Sequence, residues 1–266
     1  MLILLLALFV PSLAGAAELT LTGKATQGGL LIGQTEPGAS VVFEGRRMRV
    51  TEDGRFLIGF GRDAGPASAV EVTLRSGAVI RREITVTPRE FDIQRIDGLP
   101  EKMVTPPAAV LARIKADNEE VRRVRETDLA EPLFSSGFVW PSIGRISGVY
   151  GSQRILNGQP RQPHYGIDIA APTGSPVVAP ADGVVTMAHP DMYFTGATII
   201  LDHGHGLSST FLHLDTIQVK PGDRLRQGQP IGTLGASGRA TGPHLDWRIN
   251  LFDIRIDPAL LVGPMP

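Results

Sequence analysis

The chain has 266 residues, with 26 basic and 27 acidic side chains, six His and no Cys. Without Cys there are no disulfides, thiol nucleophiles, iron–sulfur clusters or thiolate-bound zinc, so a transition-metal site has to use imidazole and carboxylate. The formal charge of −1 argues against nucleic acid as a partner, because polyanion recognition needs a clustered basic excess.

Leu2 to Val10 is a continuous apolar run, followed by Pro11 and the small residues Ala14, Gly15, Ala16 and Ala17. That pattern reads as a signal peptide over residues 1–17, cleaved after Ala16 or Ala17. The run is about half of the ~20 residues a spanning helix needs. No later stretch is longer, so no transmembrane segment is expected after cleavage. No Cys follows the run, which excludes a lipoprotein anchor. Export is the expectation, into a Gram-negative periplasm.

Residues 18–98 alternate apolar and polar side chains in short runs. Leu19–Thr22, Ser40–Phe43, Arg55–Ile58, Val70–Leu74 and Glu83–Val86 suit strands, separated by turns at Pro37-Gly38, Asp53-Gly54 and Ser76-Gly77. The spacing predicts an immunoglobulin-like antiparallel β-sandwich of about seven strands, an accessory module without a catalytic constellation. Residues 99–133 change texture. Thr105-Pro106 suits a helix start, and Val110, Ile114, Val121 and Val124 recur at helical spacing. A helical linker of about 20 residues is expected there. From residue 134 to 266 the chain is again punctuated by Gly and Pro, with strand-like runs around Val177-Val178, Gly183–Val185, Ala197–Leu201, Ser209–Leu212 and Leu245–Ile249. Both modules read as all-β.

All six His lie beyond residue 160, so the candidate chemistry is C-terminal. His164 and Asp168 flank Gly166; on a strand the three share a face, and Gly166 removes bulk between two donor groups. His244 and Asp246 are also two apart on one strand face. His213 stands in the apolar run Phe211-Leu212-His213-Leu214. Singly, each has a bland explanation: a solvated ion pair or a structural core imidazole. His203 and His205 read as turn residues and His189 as a surface loop residue. Arg154 and Asn157, in the loop before His164, are candidate substrate contacts. No His-Glu-x-x-His stretch is present, which excludes a thermolysin-type arrangement.

In this order, the motifs resemble the lysostaphin/LytM-type zinc metallopeptidases, which cut peptide cross-links in bacterial peptidoglycan. The resemblance covers residues 140–258 and includes Gly148-Val149-Tyr150-Gly151, Ala181-Asp182-Gly183-Val184-Val185 and Asp202-His203-Gly204-His205-Gly206. It implies an antiparallel, barrel-like β-sheet domain, one Zn²⁺ held partly by His164 and Asp168, and His213 and His244 acting on water and the transition state. The family closes its site with His-x-His, the second His being the third ligand; here Asp246 occupies that position. Asp ligates zinc at about 2.0–2.2 Å, so a His164/Asp168/Asp246 set is chemically sound. A second carboxylate also neutralises the divalent charge, lowering Lewis acidity and suiting Mn²⁺ better than an imidazole-rich site does. The implied function is a zinc metalloendopeptidase acting on peptidoglycan. The rival on the same fold is a catalytically weak or inert factor that binds and activates a cell-wall amidase; a cell-wall amidase or a divisome or envelope protein is the partner either reading allows. A biotinyl or lipoyl carrier is a remoter rival, because no Lys stands beside Met187.

Overall fold

The computed structural model describes residues 19–96 and 108–266. The expected signal peptide, the expected first module boundary and the expected helix start at Thr105-Pro106 fall outside them.

Among the described residues eight strands precede the helix: β1 (Thr20–Gly23), β2 (Leu30–Gln34), β3 (Ser40–Phe43), β4 (Arg46–Met48), β5 (Arg55–Gly59), β6 (Ala67–Thr73), β7 (Val79–Thr85) and β8 (Ile93–Ile96). The first seven form two antiparallel sheets, ordered β1-β2-β5 and β4-β3-β6-β7. Alternation sets their inner faces. Val41 and Phe43 on β3, Phe56 and Ile58 on β5, and Val70 and Val72 on β6 belong to one buried cluster. Sequence reasoning passes over β2 because Gly33 interrupts its alternation. A side chain there would meet the Phe56 ring at 2.1 Å, so the glycine lets that ring lie across the strand. It also passes over β4, whose Arg46-Arg47-Met48 has no hydrophobic rhythm. The hairpin turn makes β4: Glu44 and Gly45 both have positive φ, 46° and 76°, the twist that suits a two-residue connection.

A 3₁₀ turn at Ala108–Val110 leads into helix α1 (Leu111–Arg125), shorter than expected. The packed stripe also differs from the expected one. Val121 and Val124 pack on Met187, Met192 and Ile200. Further up the helix, Arg113 pairs with Asp191 at 2.8 Å and Asp117 accepts the Tyr193 amide at 2.7 Å. Val110 and Ile114 play no part in that cluster. The helix is therefore laid on the C-terminal sheet.

The remaining strands are β9 (Arg145–Gly148), β10 (Gln153–Leu156), β11 (Gln159–Pro160), β12 (Ile167–Ala170), β13 (Pro176–Val178), β14 (Gly183–Met192), β15 (Gly196–Asp202), β16 (Leu207–Ile217), β17 (Arg224–Leu225), β18 (Pro230–Leu234), β19 (His244–Leu251) and β20 (Ile254–Ile256). The main sheet runs β17-β14-β15-β16-β19-β12-β9, with β13, β18 and β20 attached at its margins. Every residue of β15 is buried, as befits a central strand covered on both faces. The described residues thus have a mostly β architecture with one α-helix. Strand β8 pairs in parallel with β10, which ties the first half of the chain to the second. Among the described residues no helix is long and apolar enough to cross a membrane.

Candidate metal centre

Strands β12 and β19 run antiparallel with Asp168 directly opposite Asp246, so their carboxylates rise from the same face of the sheet. His164 is not on a strand, as its spacing suggested. It precedes β12 in a loop and reaches the same point from there, its amide held by the Ser152 carbonyl at 2.8 Å. His164 Nε2 stands 3.0 Å from Asp168 Oδ1 and 3.5 Å from Asp246 Oδ2. Donors bound at about 2.1 Å around one tetrahedral ion would stand about 3.4 Å apart. The three ligand atoms all lie within 4.8 Å of one another. His164 Nε2 and Asp168 Oδ1 are buried, and neither makes a hydrogen bond of good geometry. Two orphaned donors facing a third are what a small divalent cation satisfies, so the residues fit zinc. Two glycines clear the space. A Cβ on Gly148 would stand 2.2 Å from Asp168 Oδ2, and one on Gly166 2.3 Å from Asp246 Oδ1.

The imidazoles are oriented by backbone carbonyls. His164 Nδ1 meets the Val149 carbonyl at 3.2 Å, His213 Nδ1 that of Ser237 at 2.8 Å, and His244 Nδ1 that of Gly242 at 2.8 Å. Each contact assigns the proton to Nδ1 and leaves Nε2 as the free lone pair. His213 has φ 63° within β16, and the register of β16 against β15 shifts beside it. This bulge turns the side chain toward the site. The rings of His213 and His244 lie 4.8 Å apart, and His244 Nε2 is 3.9 Å from Asp168 Oδ1. The structure therefore brings together all five residues that the motifs nominated.

Charge is concentrated here. Burial works against a charged His164, but the carboxylates of Asp168 and Asp246 outweigh it and raise the imidazole to about 10: the cluster is built to hold a positive charge. Burial lowers His213, which keeps it a neutral base near pH 7. Asp246 is buried, and its carboxyl is held well below the usual range by Arg248 and His164 despite that burial. Arg248 donates Nε to Asp246 Oδ1 at 3.0 Å and to Oδ2 at 3.1 Å, and Nη2 to Oδ2 at 2.5 Å. Beyond it, Arg125 of α1 donates to Thr210 Oγ1 at 3.0 Å, and burial, with Arg255 and Arg248 nearby, lowers it to about 9.

The other imidazoles are placed elsewhere. His203 is fully buried between the Asp182 carbonyl and Ser209 Oγ, both at 2.7 Å, and His205 reaches the Ala130 carbonyl at 2.9 Å. His189 lies within β14 and Arg154 within β10, in strands rather than loops, because β14 continues past Pro190 to Met192 and β10 pairs with β8. Asn157 sits at a turn with φ 49°. Sequence reasoning missed Arg248. The available signal was its position two residues beyond Asp246, on the same strand face.

Residues 162–258 match the family described as peptidase family M23. This segment is an M23 peptidase domain. The peptidoglycan DD-endopeptidase ShyC of Vibrio cholerae is 38% identical over 122 residues, covering 45% of this chain and 28% of that protein. ShyA of the same organism, also named a peptidoglycan DD-endopeptidase, is 40% identical over 108 residues, covering 40% and 24%. The chain thus spans about a quarter of the length of these curated relatives. A crystal structure from Pseudomonas aeruginosa assigned to peptidase M23 superposes with a TM-score of 0.69 at 28% identity, covering 90% of this chain and 96% of that one. That likeness extends over both halves of the chain and includes the M23 domain.

Proposed function

We propose that the chain is an exported, zinc-dependent peptidoglycan endopeptidase that hydrolyses amide bonds of cell-wall peptide cross-links in the periplasm. The observation that carries this reading is the convergence of His164, Asp168 and Asp246 on one point, with His213 and His244 beside it. The naming of ShyC and ShyA as peptidoglycan DD-endopeptidases supports peptidoglycan as the substrate. In this reading residues 18–98 are the immunoglobulin-like accessory module and 99–133 the connector.

His164, Asp168 and Asp246 would hold the ion. Zinc held there would supply a Lewis acid that polarises the scissile carbonyl and makes water more acidic. Neutral His213 takes the proton of the attacking water at Nε2, since its Nδ1–H is committed to Ser237. Once protonated, Nε2 returns that proton to the leaving amine nitrogen. His244, fixed by Gly242, presents its Nε2 to the same space; when both ring nitrogens carry a proton, Nε2–H donates to the charge developing on the scissile carbonyl oxygen.

The test is metal analysis of the purified full chain by mass spectrometry, paired with release of fragments from isolated sacculi. One equivalent of zinc and released muropeptides are expected. His213→Ala should retain the metal and lose activity by about 100-fold or more; loss of both together would make His213 a ligand. A chain with neither metal nor released fragments overturns the enzyme reading and leaves the rival, a binding factor for a cell-wall amidase or other envelope protein.

A further inference from the structure

Asp246, where the family resemblance places a neutral third ligand, has a charged partner of its own. Asp246 is 3% exposed, and its carboxylate would be an uncompensated buried charge without a partner. Arg248, two residues on and hence on the same strand face, grips both oxygens through Nε and Nη2. The space for this pair is provided by Gly166. A Cβ there would stand 2.3 Å from Asp246 Oδ1 and 2.7 Å from Arg248 Cγ. Of all the carboxylates in the described residues, only Asp246 pairs with Arg248.

We propose that Asp246 and Arg248 act as one unit in which Arg248 is the positioning residue that makes Asp246 a serviceable metal ligand. The inference rests on the metal-holding reading above. It has two physical parts. The guanidinium fork fixes the carboxylate rotation, so Oδ2 stays directed at the point faced by His164 Nε2, 3.5 Å away. It also restores the charge: two carboxylates and one guanidinium amount to the single negative charge of a His/Asp/His set. The electrophilic character that a second carboxylate would remove is therefore retained. The single Nε–H is shared between Oδ1 and Oδ2, so Nη2 is the one donor given wholly to Oδ2; with two lone pairs on that oxygen, Oδ2 can accept from Arg248 and still face an ion.

The experiment measures Zn²⁺ affinity of the metal-stripped full chain by competition with a chromophoric chelator, with the visible spectrum of bound Co²⁺ as a report on ligand geometry. Four proteins form a cycle: wild type, Arg248→Gln, Asp246→His, and the double variant. Arg248→Gln should weaken Zn²⁺ binding by about 10- to 100-fold in the Asp246 background, the usual cost of removing a hydrogen-bond partner behind a ligand. In the Asp246→His background Arg248 has no carboxylate to orient and its charge is no longer balanced, so the same change should not weaken Zn²⁺ binding, a coupling between neighbouring residues. Arg248→Lys keeps the charge without the fork and should fall between wild type and Arg248→Gln, with an altered Co²⁺ spectrum. Circular dichroism and Tm establish that each variant is folded; an unfolded Arg248→Gln leaves Arg248→Lys to carry the comparison. Equal losses in both backgrounds, or none with Asp246 present, would overturn this inference while leaving the metal site standing. A wild-type chain that binds no Zn²⁺ would overturn both readings.

Discussion

Asp168 and Asp246 can face each other across β12 and β19 only because the residues beside them carry no side chain. Gly148 has an ordinary negative-φ backbone and is excluded from substitution by space alone, its missing Cβ lying 2.2 Å from Asp168 Oδ2. Gly148→Ala should therefore rotate Asp168 away from His164 and weaken Zn²⁺ binding by about tenfold or more. Tm should move little, because no cavity and no backbone strain are created. Chelator competition alongside a thermal melt checks this; an Ala variant that binds metal like wild type would refute it. His164, Asp168, His213, His244 and Asp246 were legible from motif order, because donor chemistry restricts which residue types can stand there. Arg248 was not. An arginine on a strand reads as a solvated charge, and only the structure shows Arg248 Nε and Nη2 closing on the buried Asp246 carboxylate. His164 was assigned the right company on the wrong element, since a four-residue spacing fits a strand and a short loop equally well.

Helix α1 shows how far periodicity alone reaches. Its existence follows from a 15-residue stretch of good helix formers without Gly or Pro. The face it buries does not follow, because polar side chains complete the contact. Val121 and Val124 supply the apolar half, and Arg113 and Asp117 the other half through Asp191 and the Tyr193 amide. Removing methyl groups from two partly buried valines leaves a modest loss. Val121→Ala with Val124→Ala should cost about 1–2 kcal/mol, read as a lower urea midpoint and faster proteolytic cleavage near residues 108–125. Ile114→Ala, outside that cluster, should stay within about 0.5 kcal/mol. An equal loss from Ile114→Ala would mean that the expected stripe, rather than the observed one, holds the helix. The strands β2 and β4 were missed for a related reason: a glycine and a left-handed turn, rather than hydrophobic rhythm, set their positions.

The molecule as a whole has a dependence on acid that its buried imidazoles impose. His203 is enclosed without a carboxylate partner, and burial lowers it to about 4 from 6.5. The unfolded chain binds a proton there that the folded chain refuses, so stability is complete above about pH 6.5 and declines as pH falls toward 4. Between pH 7 and pH 5 this one group should remove about 2 kcal/mol. His203→Gln should be less stable at pH 7, yet lose correspondingly less of its urea midpoint on going to pH 5. Equal losses in variant and wild type would show that His203 does not set the slope.

The seam between the two halves of the chain has its own consequence. The Asp257 amide donates to the Gly28 carbonyl at 2.8 Å, Arg62 Nε to the Gly151 carbonyl at 2.8 Å, and Arg89 pairs with the buried Asp257 at 2.8 Å. Gly59 comes so near Ile256 and Leu251 that a methyl group there would stand 2.7 and 3.3 Å from them, and the buried residues of both halves form one continuous cluster. Severing the chain between them would leave apolar surface and backbone donors facing water on either side of the cut. The half that carries the candidate metal centre is thus a poor cassette. Grafted alone onto another protein it would carry its five site residues but not the surface that keeps β19, β20 and β10 in place, so the transferable unit is the whole pair.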